Sequence, residues 1–140
     1  MAQTTTIGNI SEAKVLAALV EAGYTVSKPF GDGHKYDFVI DDGKTLLRVQ
    51  CKTGRFKNGC ISFNAFSVAG NSNGKSQAYT DLADIFAIYC PDNEQVYIVP
   101  VPKVGISKVY LRVEPSQNNQ QKRVRWAREH VLMPINLPDN

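Results

Sequence analysis

Asp37, Gln50 and Lys52 are an acid, an amide and a base that a strand–turn–strand would bring to one spot. Gln50 and Lys52 are two apart, so on an extended strand both side chains leave the same face while Cys51 points away. Asp41-Asp42-Gly43 is a hairpin signal, and folding the chain back across it sets Asp37 near the level of Gln50. An anionic oxygen, a neutral oxygen and an ammonium around one point suit the hydrolysis of a phosphodiester. Mg²⁺ takes hard oxygen ligands and keeps several waters, so it needs few ligands from the protein. Asp37 supplies the charged ligand; the side-chain oxygen of Gln50 and the backbone carbonyl of Cys51 supply neutral ones, with Mn²⁺ the expected substitute ion. An ion held there acidifies water and neutralises charge on the phosphate. Lys52 then orients or deprotonates that water, or stands as a point charge against the transition state. Glu12, upstream, is placed to reach the same face. Taken singly, each of these residues is an ordinary solvated side chain; it is the joint spacing that points to chemistry.

The elements that must position them can be read from spacing. Ile10, Ala13, Leu16, Ala17 and Val20 recur at helical intervals, which predicts an amphipathic helix over Ile10–Ala22, stopped by Gly23 and capped by Asn9 or Ser11. Tyr24–Lys28 reads as a short extended piece and Gly31-Asp32-Gly33 as a loop. Strands are expected at Tyr36–Ile40, Thr45–Lys52, Cys60–Phe66, Ile85–Cys90, Gln95–Val101 and Lys108–Val113. Gly54–Gly59 reads as a basic loop, Ala69–Gln77 as a flexible one and Tyr79–Asp84 as a helical turn. Val124, Ala127 and Val131 have weak helical spacing. The expectation is one domain over residues 1–140, with a core at about 7–113 and a basic tail at 114–140 packed back on it.

Composition sets the outer limits. An apolar fraction of 43% suffices for an ordinary core without disulfides. No apolar run approaches the roughly 18 residues of a membrane span, and the polar start lacks the apolar stretch of a signal peptide. Cys51, Cys60 and Cys90 are scattered and have no zinc-ligand spacing, as suits reduced thiols in a cytoplasmic or nucleoid-associated protein. The net charge is only +3, yet residues 44–80 hold six cations and no acid. Residues 103–130 hold seven cations against two acids. Two basic zones in a nearly balanced chain fit either a solvated face or a surface for a polyanion. Arg48, Arg55, Lys57 and Lys75, flanking the candidate site, are the first candidates for phosphate contacts. Asp32, Asp41 and Asp42 read as turn residues, His34 and His130 as surface, Asp84 as a strand cap and Trp126 as a packing anchor for the tail.

A helix glutamate, a strand aspartate, a hairpin and then Arg48-Val49-Gln50-Cys51-Lys52-Thr53-Gly54 together resemble the PD-(D/E)XK nuclease superfamily. The likeness is to its group I intron homing endonuclease branch, in which glutamine replaces the second acid. It continues through Gly59–Phe63, Tyr79, Asp84–Tyr89 and Tyr97–Pro100. Tyr36 stands where the eponymous proline would be, and the neutral Gln50 leaves less charge to hold metal. The resemblance implies an α/β restriction-endonuclease-like core, a mixed sheet flanked by helices. It also implies a Mg²⁺-dependent endonuclease acting on double-stranded DNA. It assigns Asp37 and Gln50 to the metal, Lys52 to the motif's lysine and Glu12 to the helix glutamate. A Holliday-junction resolvase shares that core, and a non-catalytic DNA-binding module is the reading that the neutral Gln50 keeps open. Severing both strands needs two such centres, hence a homodimer or homotetramer. The apolar strands Ile85–Cys90 and Tyr97–Val101, or the tail around Trp126, are the expected contact surfaces.

Overall fold

The computed structural model describes residues 4–68, 76–78, 82–102, 107–115 and 124–135. Helix α1 spans Thr4–Glu21, starting six residues before the expected Ile10. Gly23 ends it with φ +102°, the left-handed conformation that glycine takes without strain. Its amide bonds the carbonyl of Val20 and that of Tyr24 bonds Leu19, so two orphan carbonyls of the last turn are satisfied.

The face that α1 buries differs from the expected one. Ser11, Val15, Leu19 and Ala22 are buried, whereas Ile10, Leu16 and Val20 are 47%, 39% and 56% exposed. Apolar side chains run around the whole cylinder in Ala13–Val20, so spacing alone offers two stripes. The choice falls to tertiary contacts. The buried hydroxyl of Ser11 bonds that of Thr53 at 2.6 Å, and neither it nor Asn9 caps a helix that begins at Thr4.

Strands β1 (Thr25–Ser27), β2 (Phe38–Asp41) and β3 (Leu46–Thr53) form an antiparallel meander with Phe38 opposite Val49 and Asp41 opposite Leu46. The turn is the expected one. Asp41 accepts the amide of Gly43, and Asp42 accepts those of Lys44 and Thr45 at 2.8 Å. Short strands β4 (Arg55–Lys57), β5 (Cys60–Asn64), β6 (Phe66–Val68) and β7 (Ser76–Ala78) follow, then β8 (Ile85–Cys90), β9 (Gln95–Pro100) and β10 (Lys108–Arg112). The first sheet has the order β1-β2-β3-β8-β9, with β3 and β8 parallel and every other pair antiparallel. The second has the order β10-β5-β4, and β6 pairs with β7.

Layering explains the burial. Val15 and Leu19 of α1 pack on Phe38, Ile40, Val49, Ala87 and Tyr89. On the opposite face, Phe86, Ile88 and Cys90 meet Ile61, Phe63, Val109 and Leu111 of the second sheet. All six residues of β8 are therefore buried, as a strand covered on both faces must be. The strands expected as contact surfaces are thus interior: β8 is enclosed within the chain, and so are Val96, Tyr97 and Val99 of β9. Among the described residues one α-helix flanks the mixed sheet on one face, and a three-stranded sheet covers the other.

Two expected loops are more ordered than their composition suggested. Arg55–Lys57 is a strand joined to β5 through Asn58 (φ +54°) and Gly59 (φ +76°), and Ser76 and Gln77 lie in β7. The rest of the loop at 69–77 and residues 79–81 of the turn lie outside the described residues. In the tail, Ala127–Glu129 makes a 3-10 turn where weak helical spacing was noted. The tail then runs beside β9, with Leu132 N–H on the Val96 carbonyl (3.0 Å) and Ile98 N–H on that of His130 (2.7 Å).

Gly54 is the joint between the two sheets. A Cβ there would lie 2.7 Å from Ile61 Cγ2 and 2.9 Å from Ile88 Cγ2. Gly54→Ala should therefore cost about 1–3 kcal/mol by overpacking. Urea unfolding is the check, and an unchanged midpoint would show that the two isoleucines move aside freely.

Candidate active site

The site lies where β3 outruns β2. Strand β2 starts at Phe38, so the amide of Cys51 has no strand partner beside it. The carboxylate of Asp37 takes its place: Oδ2 accepts the Cys51 N–H at 2.8 Å, while Asp37's own amide bonds the Val49 carbonyl. Burial raises the carboxyl of Asp37 above the usual range; the Cys51 N–H opposes this, and Glu12 adds to it.

Cys51 faces α1, and burial followed by the charge of Asp37 pushes its thiol up, away from thiolate. Lys52 faces the other way, its Nζ 5.9 Å from the ring centroid of Phe86. Burial pulls its ammonium down to about 8, with Asp37 opposing. Gln50 turns its amide onto the Cys51 carbonyl, Nε2 to O 3.3 Å.

Glu12 projects from α1 and pairs with Lys28, whose ammonium lies 5.2 Å from the Phe38 ring centroid. The hydrogen bond to Glu12 raises the pKa of Lys28, and the charge of Asp37 contributes in the same direction. Lys28 is the residue that sequence reasoning missed. It ends the extended piece after Gly23, sixteen positions from Glu12, and no local spacing links the two. A cleft of about 220 Å³ opens over Asp37 beneath the loop that carries Lys28, Gly31, Gly33 and His34.

The other candidates fall into place around this centre. Arg48 grips Asp84 through Nε (3.2 Å) and Nη2 (3.1 Å), and its backbone amide bonds the same carboxylate at 2.7 Å. This charge-assisted bonding holds the Asp84 carboxyl below its usual range and locks the β3–β8 register. Arg48 therefore has a structural task at a position first read as a phosphate contact. Arg55 and Lys57 are exposed on β4, and Lys75 lies outside the described residues. His34 bonds the Phe30 carbonyl and His130 that of Ile98; Trp126 is half-buried under the guanidinium of Arg128, 4.3 Å from its ring centroid.

The donor set fits a hard divalent cation. Asp37 is a half-buried carboxylate, and the Cys51 carbonyl and Gln50 side chain lie together next to it. An amide flip would present Oε1 of Gln50 where Nε2 now sits. No cluster of three His, Cys, Asp or Glu side chains exists among the described residues, so an ion here would rely on neutral oxygens and retained water. Nor, among them, is any helix long and apolar enough to cross a membrane.

A mixed sheet with an aspartate just before one strand and a lysine on the strand beside it, and a glutamate-bearing helix laid across it, defines the restriction-endonuclease-like class. The chain belongs to the PD-(D/E)XK endonuclease family, whose family model matches residues 2–133. Among solved structures, the bacterial homing endonuclease I-Ssp6803I is similar, with a TM-score of 0.72 and 24% identity over 93% of this chain and 89% of that one. The Holliday junction resolvase Hjc of Archaeoglobus fulgidus gives a TM-score of 0.45 and 15% identity over 75% of this chain and 83% of that one. No curated protein sequence matches the chain.

Proposed function

We propose that this chain is a divalent-metal-dependent endonuclease, with Mg²⁺ as its ion, that hydrolyses phosphodiester bonds of double-stranded DNA at a preferred site. One observation carries the reading: the Asp37 carboxylate caps the free edge of β3 at Cys51, beside the side chains of Gln50 and Lys52. Asp37, Gln50 Oε1 and the Cys51 carbonyl would hold the ion, which when bound supplies Lewis acidity and charge neutralisation at the phosphate. Lys52 presents a fixed cation to the charge that builds on the scissile group. Its setting against Phe86 lowers the local dielectric, and there a charge acts more strongly than in water. Glu12, held by Lys28, orients water on the helix side. Each chain carries one such centre, so cutting both strands in one encounter requires a homodimer or a dimer of dimers.

Supercoiled plasmid and a four-way junction, offered side by side with Mg²⁺, Mn²⁺ or EDTA, test this. Duplex cleavage with either metal and none in EDTA is expected, and Gln50→Leu, which removes the side-chain oxygen, should cripple it. Metal-independent or absent cleavage would overturn the reading, and preferential cutting of the junction would reassign the substrate.

A further inference from the structure

Two stretches of sequence rich in cations, about fifty residues apart, meet on one face of the second sheet. Arg55 pairs with Ser62 and Lys57 with Cys60, while on the other side of β5 Lys108 pairs with Asn64, Tyr110 with Ser62 and Arg112 with Cys60. Residues paired across a sheet share a face, so Arg55, Ser62 and Tyr110 form one cross-strand row and Lys57, Cys60 and Arg112 the next. The alternate residues Ile61, Phe63, Val109 and Leu111 are buried against the first sheet, which turns these rows outward.

The rows have a shape. The central strand offers only short side chains, Cys60, Ser62 and Asn64, between long ones on both flanks. The result is a trough of about 550 Å³ whose lining includes Lys57, Ser62, Lys108, Tyr110 and Arg112. None of the paired residues is acidic; Asp92 and Glu114 stand at the margins, the first accepting the Phe56 amide and the second beside Gly59. Lys57 and Arg112 lie two strands apart, roughly 10 Å, beyond the Debye length of about 8 Å at physiological salt, so their mutual repulsion is largely screened while each still presents positive charge to the solvent. A face of one charge sign attracts a polyanion. Three strands span roughly 10 Å, and the major groove of B-DNA is about 12 Å wide. Tyr110, 56% exposed, places an amphipathic ring on the flank of the trough.

We propose that the outer face of β4, β5 and β10 is a second DNA-contact surface that seats in the major groove of the duplex. Arg55, Lys57, Lys108 and Arg112 face phosphates along its walls, and Tyr110, the long exposed side chain between Lys108 and Arg112, reaches toward base edges, while the short side chains of β5 leave the trough open. The proposal rests on the endonuclease reading and adds where specificity is read, since Asp37 and Lys52 contact only the reacting phosphate. Because β4 follows Lys52 directly through Thr53 and Gly54, the trough holds DNA in a fixed relation to the cut.

The test uses the full chain and short random-sequence duplexes treated with dimethyl sulfate, which marks guanine N7 in the major groove and adenine N3 in the minor groove. Duplexes methylated at guanine N7 should be depleted from the bound fraction; depletion only of adenine-N3-methylated duplexes, or of neither, would overturn the proposal. In parallel, Lys108→Ala and Arg55→Ala should each reduce the log–log salt slope of binding by about 0.9, which over a fourfold rise in salt is roughly a 3.5-fold smaller loss of affinity. Lys44→Ala, in the same acid-free stretch of sequence but on the β2–β3 turn, is the control and should leave the slope alone. Equal slopes for all four proteins would sink the trough while leaving the nuclease standing. Failure of the wild type to cleave with either metal would sink the nuclease, and the binding arms would still report on the trough.

Discussion

Asp37→Asn is expected to abolish cleavage and, in metal-free buffer, to leave the fold as stable as the wild type or more so. Asparagine keeps an oxygen to accept the Cys51 N–H that Asp37 accepts at 2.8 Å, so the edge of β3 stays capped. What disappears is a half-buried negative charge. Burial raises the pKa of Asp37, so the ionised form opposes folding near neutral pH, and its contribution becomes more unfavourable as pH rises through the unfolded-state value toward the raised one. Removing the charge removes that penalty. It also removes the anionic ligand, so saturating Mg²⁺, worth about 2.7 kcal/mol at a hundred times its Kd, should raise the Tm of the wild type and not of the variant. Thermal melts with and without metal, beside plasmid nicking, give the result. A variant that cuts normally would remove Asp37 from the mechanism, and one that fails to fold would make it structural.

Lys52→Ala should lower the cleavage rate by about 10²–10³ while leaving the affinity for DNA within a few-fold. That is the usual cost of removing one preorganised charge from a water-poor transition state. The ammonium is desolvated against Phe86 and pulled toward neutrality by that burial, so it adds little to the long-range attraction between protein and duplex. Its effect should fall on the barrier, as single-turnover rates at saturating DNA would show. If affinity fell and the saturated rate did not, Lys52 would belong with the DNA-positioning cations.

The hairpin that builds the site was legible because its determinants are local. Asp41 and Asp42 bond amides two or three residues ahead, and alternation places Gln50 and Lys52 on one face. The buried face of α1 was not, since apolar residues ring the helix and the decision rests on tertiary contacts such as Ser11 meeting Thr53, forty-two residues away. Asn58-Gly59 is itself a strong hairpin signal. The charges of Arg55 and Lys57 hid it by making the flanking strand look like a loop. Lys28 with Glu12, and Arg48 with Asp84, are pairings that only tertiary structure can make. The joining of two basic zones depends on β5 lying next to β10, which nothing local to either strand announces.

The tail that follows β9 has a consequence for solubility. An open edge strand offers unpaired amides and carbonyls to any other chain, and a flat apolar one templates aggregation. The five-stranded sheet has two edges. At one, β1 is only three residues long, too short to recruit much. At the other, β9 carries Val96 and Ile98, and the segment through His130 and Leu132 hydrogen-bonds both of them and closes the row. A chain cut before Val124 would keep Asp37, Gln50 and Lys52 yet bare that edge. It should gather into β-rich aggregates that bind thioflavin while the full chain stays clear. The basic tail thus acts as the sheet's guard against its own kind, and a truncation that stayed dispersed would show that β9 needs no cover.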